Sequence, residues 1–440
     1  MDEIKCKHCG VAEQDRTLLK RRRSFRSTHY HTCASCEVKL AERGHWRTLV
    51  SYVIVGAAAA IWAAKDPEPG LRWFVLNLTA LYFANIPATA LHELGHVMAG
   101  WLVRWRTYHV VVGWFGKPLL FKKWRGVKWQ FNSVPVGGMA YVFPRDGRWF
   151  SPKAFIVYFG GPLVNLLTAA ACFAVVDWPF ATYDRELHLL GSLGFASLAA
   201  AVVSLLPYRV NFGGTLLDTD GRAMLRAIFR PATLKREMLK SAALLEVNRL
   251  REAGVAVQAM ELIERTLTEY PDDLLLQLTR AVLQGDLGLH REARSQYLEM
   301  LQRSEAQPDH LALLWNNIAW SDFMLEDPEL LNEALDFSEQ AVKAFDSSSA
   351  YLGTRGSVLI WAGQVDDGIQ LVKRAYETKD ADVQGAALNA SVLGLGEALR
   401  GNMAESAHWL RIAEALDPNC PLLDRARHAQ SKSHGAEHLS

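Results

Sequence analysis

Two histidines and a glutamate, in the stretch His92-Glu93-Leu94-Gly95-His96, stand inside the long apolar run 71–103. Ionisable side chains at membrane depth are costly and are kept for function. On a helix, residues four apart share a face. His92 and His96 can therefore hold one zinc ion, with Glu93 beside it to take a proton from an activated water. The same residues also fit a helix that merely packs its histidines, and the surrounding chain has to decide. A catalytic zinc needs a third protein ligand and an open fourth position. A carboxylate from Asp218 or Asp220 can return to the ion. Either can instead cap the helical pattern that Asp220-Gly221 begins.

A second constellation lies near the start, where Cys6-Lys-His-Cys9 is followed by Cys33-Ala-Ser-Cys36. Thiolates at this spacing make a four-sulfur tetrahedral site, and segment 1–45 has too little apolar material to fold otherwise. The pairs resemble a zinc ribbon with a structural zinc, ahead of a redox or iron role. His8, His29 and His31 are further possible ligands, but four cysteines leave no vacancy. Cys172 and Cys420 stand alone, so the six cysteines are not a secreted disulfide framework. The run Lys20-Arg21-Arg22-Arg23 reads as a solvated loop of a cytoplasmic domain, ahead of a contact with nucleic acid or acidic lipid.

These groups need elements to position them. At 440 residues the chain has room for about two to four domains. The net charge of +1 selects no nucleic-acid partner. Apolar residues concentrate before Pro207, and the second half reads as a water-soluble helical protein. Residues 1–45 are polar and basic, without the apolar core of a signal peptide. Four membrane helices are expected, at 48–64, 71–103, 154–176 and 187–206. Pro87, one turn before His92, can kink the second. Between the second and third spans, 104–153 is basic and carries short apolar runs at 109–112, 119–121 and 127–131 that read as strands or hairpins against the membrane face. Basic residues gather in 1–47, 104–153 and from Arg209 onward, so the positive-inside rule makes this a multi-pass protein with both termini in the cytoplasm.

In this order the pieces resemble the site-2 protease family, the intramembrane zinc metalloproteases. The resemblance covers about 71–225. It rests on HELGH at 92–96, Pro135-Val-Gly-Gly138, Gly160-Gly161-Pro162-Leu-Val-Asn165, and Leu206-Pro207 followed by Asp220-Gly221. It implies His92, His96 and Asp220 as zinc ligands and Glu93 as general base. It also implies that Asn165 binds the scissile carbonyl or its oxyanion, and that the stretch before Gly137-Gly138 is a hairpin that pairs with an extended substrate. Two positions depart from the family pattern. Ser204 stands where an asparagine is usual, and Asp220 lies 13 residues past Pro207, farther than expected. No sequence resembles an inserted PDZ or CBS domain.

Residues 231–425 show a repeat. Gly254 and Ala259 recur as Gly288 and Ala293, and Ala334 is followed 34 residues on by Gly368. This resembles tetratricopeptide repeats, helix pairs stacked into an α-solenoid with a concave face for a protein or peptide. About five pairs fit, with insertions around 302–327 and 370–400. The tail 426–440 is polar and expected to be disordered.

The expected architecture is mainly α. A zinc-ribbon-like domain (1–45) precedes a membrane-embedded metalloprotease core with a small β segment (46–230), helical repeats (231–425) and the tail. The function expected is hydrolysis of a peptide bond in or near a transmembrane segment of a membrane protein within the lipid bilayer, with one catalytic and one structural zinc. The alternative is an inactive membrane-anchored scaffold that binds proteins through its repeats. A weaker third reading is a nucleic-acid-linked regulator acting through the ribbon.

Overall fold

The computed structural model describes residues 4–5, 12–13, 19–23, 29–33, 50, 53–59, 61–62, 65, 69–113, 115–134, 137–176, 186–212, 215–303, 308–378 and 383–437. The chain divides into two compact units. One is Ala41–Arg249 and the other comprises Met1–Leu40 and Leu250–Ser440. In the N-terminal segment, short strands β1 (Ile4–Lys5) and β2 (Ala12–Glu13) pair antiparallel, as do β3 (Leu19–Arg23) and β4 (His29–Cys33). Cys6, Cys9 and Cys36 lie outside the described residues, and Cys33 is described only by its place in β4.

The first unit is built on α1 (Pro69–Leu102), α2 (Phe150–Val175) and α3 (Leu189–Leu205). Among the described residues, α1 and α2 are long and apolar enough to cross a membrane; α3 is apolar but shorter. Of the stretch 48–64, residues 50, 53–59 and 61–62 are described, all helical, and the others lie outside the described residues. α1 continues through Pro87 rather than ending there. α2 begins at Phe150, earlier than the apolar run suggested. Its first turn holds Pro152, which needs no intrahelical partner there, and Phe150 is buried in a stack on Trp105 with centroids 5.8 Å apart. Asn77 of α1 clamps the start of α3: its Nδ2 donates to the Glu186 carbonyl and its Oδ1 accepts from His188 N–H, both at 2.7 Å.

Between α1 and α2 lies a four-stranded sheet of β5 (Arg106–Val112), β6 (Phe115–Trp124), β7 (Val127–Val134) and β8 (Gly138–Phe143), in the order β6-β7-β5-β8. The strands are longer than the apolar runs, and β8 was not foreseen. β5 pairs parallel with β7 and antiparallel with β8, Val112 opposite Gly138. β8 is therefore an edge strand. After α3 come a hairpin of β9 (Arg209–Phe212) and β10 (Thr215–Asp218), then α4 (Asp220–Phe229) and α5 (Pro231–Glu252). One apolar cluster ties these parts together: Val142 of β8, Ala154 and Val157 of α2, Ala227 of α4, and Leu234 and Met238 of α5.

The second unit is a run of antiparallel helix pairs: α6 (Ala256–Glu269), α7 (Leu274–Asp286), α8 (His290–Arg303), α9 (Pro308–Leu325), α10 (Leu331–Ala344), α11 (Ser349–Trp361), α12 (Val365–Glu377), α13 (Val383–Leu399), α14 (Met403–Leu416) and α15 (Leu423–Glu437). Left-handed turns recur at Gly254, Gly288, Glu326, Gly363 and Gly401, spaced 34, 38, 37 and 38 residues apart. Seven residues before the last four turns stand Ala281, Ala319, Gly356 and Gly394, all buried where paired helices cross. The repeat is real but longer than 34 after its first period, which is why the sequence spacings drift. The helical assignment continues through 426–437, where an unstructured tail was expected, because Leu423 and Ala426 of α15 pack into the core around Leu393 and Leu410.

A Cβ at position 356 would lie 2.5 Å from Val372 Cγ2 and 2.8 Å from the Gly368 carbonyl oxygen. Gly356→Ala is expected to destabilise the repeats by about 1–3 kcal/mol, read as a lower denaturant midpoint of helical circular dichroism. An unchanged midpoint would mean that this crossing relaxes freely.

Candidate active site

α1 brings His92 and His96 onto one face, their rings 4.8 Å apart and nearly perpendicular. α4 brings Asp220 to the same point. His92 Nε2 lies 3.0 Å from Asp220 Oδ2, His96 Nε2 lies 3.4 Å from Asp220 Oδ1, and the two Nε2 atoms are 3.2 Å apart. A tetrahedral zinc about 2.0–2.1 Å from each ligand would separate them by about 3.3 Å. The three residues therefore bring ligand atoms to the spacing a shared zinc ion requires. Among the described residues they are the one His/Cys/Asp/Glu group with this spacing. His96 Nδ1 faces the Val157 carbonyl at 2.7 Å, which fixes its ring and turns Nε2 to the cluster.

The helix crossing makes this possible. A Cβ on Gly161 would lie 2.5 Å from His96 Nε2 and 2.8 Å from His92 Nε2. Gly95 and Gly160 touch backbone to backbone at the same crossing. Small residues let α2 close against the imidazoles. Glu93 is buried and faces β8, where a Cβ on Gly138 would be 2.7 Å from Glu93 Oε1.

Asp220 opens α4, in a first turn where the helix dipole favours a carboxylate. Burial pushes its carboxyl up, and the imidazoles, His96 first, more than reverse this, so it stays well below the usual value. Asp218 points elsewhere. Its Oδ1 accepts from Arg209 Nε at 3.0 Å and Arg222 Nε at 2.9 Å, and its Oδ2 from Arg226 Nη1 at 2.6 Å. Burial raises the Asp218 carboxyl, and Arg226 and Arg209 more than offset that, leaving it below its ordinary value. Both oxygens are thus engaged away from the histidines. The long spacing after Pro207 also has its explanation. The extra residues form β9–β10, and the hairpin closes where it began: Thr219 N–H donates to the Tyr208 carbonyl at 3.1 Å, and Thr219 Oγ1 donates to the Leu206 carbonyl at 2.6 Å. The excursion returns the chain to its starting point, so Asp220 is not displaced.

Asn165 is fully buried behind His92, with Nδ2 3.3 Å from His92 Nδ1 and Oδ1 without a partner among the described residues. The cavity beside the cluster measures about 840 Å³. His92, Glu93, His96 and Asp220 lie on it, β8 forms one wall from Met139 to Phe143, and Tyr158 and Met238 line it as well. Ser204 also lines it, with its hydroxyl bonded to the Ala201 carbonyl of its own helix. The Val157 carbonyl and β8 were not read from the sequence. The hairpin had a signal there, Gly213-Gly214 between two short apolar runs.

A helix-borne pair of imidazoles, a glutamate beside them and a carboxylate returning from a later helix define the class of HExxH metalloproteases. Residues 86–183 match Peptidase family M50. A protein of Ralstonia nicotianae named "Putative zinc metalloprotease" is 28% identical over 175 residues, covering 35% of this chain and 37% of that protein. The chain thus spans little more than a third of that relative's length. Solved structures similar to this chain include a thermophilic TPR protein of Thermus thermophilus (22% identical, 43% of this chain and 98% of that one, TM-score 0.35). MamA of Desulfovibrio magneticus is another (14% identical, 41% and 97%, TM-score 0.29).

Gly161→Ala and Asp220→Ala are each expected to lose bound zinc on purification with helical content intact, whereas Asp218→Ala retains it. Metal analysis of the three proteins checks this, and zinc loss from Asp218→Ala alone would reverse the assignment.

Proposed function

We propose that the chain is a zinc metalloendopeptidase that hydrolyses a peptide bond in or near a transmembrane segment of a membrane protein, as in regulated intramembrane proteolysis. The observation that carries this is the meeting of His92, His96 and Asp220 at ligand spacing on a membrane-length helix, with Glu93 on the adjoining cavity. When bound there, zinc supplies the Lewis acidity that the reaction needs. Glu93 takes the proton of the attacking water and passes it to the leaving nitrogen. With its amide turned over, Asn165 accepts from His92 Nδ1–H through Oδ1 and frees Nδ2 as a donor toward the oxyanion. A spanning helix must unwind before its bond is exposed, because its backbone is internally paired. The edge of β8 away from β5 offers the unwound segment replacement hydrogen bonds.

In the same reading the protein is multi-pass with both termini in the cytoplasm, as the distribution of basic loops requires. Cys6, Cys9, Cys33 and Cys36 hold a second, structural zinc. The ribbon and the repeats recruit or gate substrate, the solenoid offering its concave face to a protein or peptide.

Glu93→Gln is expected to keep its zinc and lose about 10²–10⁴-fold in proteolysis. Comparing membrane-protein fragments in cells carrying the wild type or the variant tests it. The same fragments in both would leave the inactive scaffold standing. Metal analysis of the intact protein is expected to give two zinc per chain, falling to one in Cys33→Ser/Cys36→Ser. The same zinc content in the wild type and the double variant would remove the structural site.

A further inference from the structure

We infer that hairpin β9–β10 is a second wall of the substrate groove and sets the side-chain preference beside the scissile bond. The inference rests on the proteolytic reading above. The cavity has two strand-built sides. One is β8; the other is the hairpin, through Tyr208, Val210, Leu216 and Leu217. Among the described residues β8 is paired on one side, to β5, and its residues line the same cavity as those of the hairpin.

An extended strand sends alternate side chains to opposite faces. Those of a substrate lying along β8 that point away from the membrane helices meet the hairpin. Val210 and Leu217 are directly opposite each other in the hairpin register, so they share a face, and both are half-buried on the cavity. Leu216, next to Leu217 in β10 and so on the hairpin's other face, is 58% exposed. Val210 and Leu217 offer their shared face to an apolar side chain, and the two arginines on the same cavity, Arg209 and Arg226, are already paired with Asp218. The occupant this face fits is the unwound, apolar part of a membrane span.

The hairpin is held in place for this task. Asp218, at the end of β10, is tied to Arg209 of β9 and to Arg222 and Arg226 of α4, and Arg226 in turn to Glu237 of α5 at 2.5 Å. Thr219 closes its base next to Asp220. The wall is thereby fixed with respect to the carboxylate of the ligand cluster. Asp218 is a positioning residue in this scheme.

The test uses the full chain in detergent with zinc and two probes. Acetohydroxamate carries the metal-binding group alone, and a leucyl-leucyl hydroxamate adds an extended apolar arm. Leu217→Asp is expected to weaken the leucyl-leucyl compound by about tenfold or more, the worth of one buried leucine, and to leave acetohydroxamate unchanged. Leu217→Ala is expected to act in the same direction by a smaller factor, and retained zinc and circular dichroism show that either protein is folded. A leucyl-leucyl to acetohydroxamate affinity ratio equal in wild type and both variants would overturn the hairpin's role while leaving the protease reading intact. Failure of zinc-loaded wild type to bind acetohydroxamate would instead remove the proteolytic reading, and this inference with it.

Discussion

The site depends on how closely two membrane-length helices approach. α1 and α2 meet at Gly95, Gly160 and Gly161, where backbone takes the place that side chains would fill. Only because that face is bare can the imidazoles of His92 and His96 stand where they do and still turn their Nε2 atoms to one point. The Val157 carbonyl, on the same turn of α2, then holds the His96 ring. Burying such groups is unfavourable unless they find partners. Here the partners come from two other elements: the Val157 carbonyl and the Asn165 amide from α2, and the Asp220 carboxylate from α4.

The remaining parts are arranged around that junction. β8 reaches Glu93 because position 138 has no side chain. The apolar cluster of Val142, Val157, Ala227 and Leu234 fixes β8, α2, α4 and α5 relative to one another, so Asp220 arrives on a braced helix rather than on a loop. The arginines about Asp218 brace the same helix from its polar side.

What could be read from the sequence was what is local. The shared face of His92 and His96 comes from helical spacing, and the start of α4 from Asp220-Gly221 after a glycine-rich stretch. The resemblance implied Asp220, but the residues alone left Asp218 open, because the choice turns on hydrogen bonds between Tyr208 and Thr219, eleven positions apart. Arg222 and Arg226 did stand four and eight residues after Asp218, a spacing that suits a paired carboxylate on one helix face. β8 was missed because it begins in glycine and pairs with β5 rather than with β7, its neighbour in sequence. In the repeats, Gly254 and Gly288 gave the first period, while Glu326, a non-glycine residue at the same left-handed turn, hid the next.

The closed base of the β9–β10 hairpin bears on how such a chain diversifies. Residues between Arg209 and Asp218 can be added or removed in register without opening that closure, so one side of the cavity can be rebuilt over evolutionary time. The Gly160-Gly161 crossing tolerates no such drift, since any Cβ at 161 strikes both imidazoles. Change in what is recognised is thereby uncoupled from the constancy that the ion cage demands.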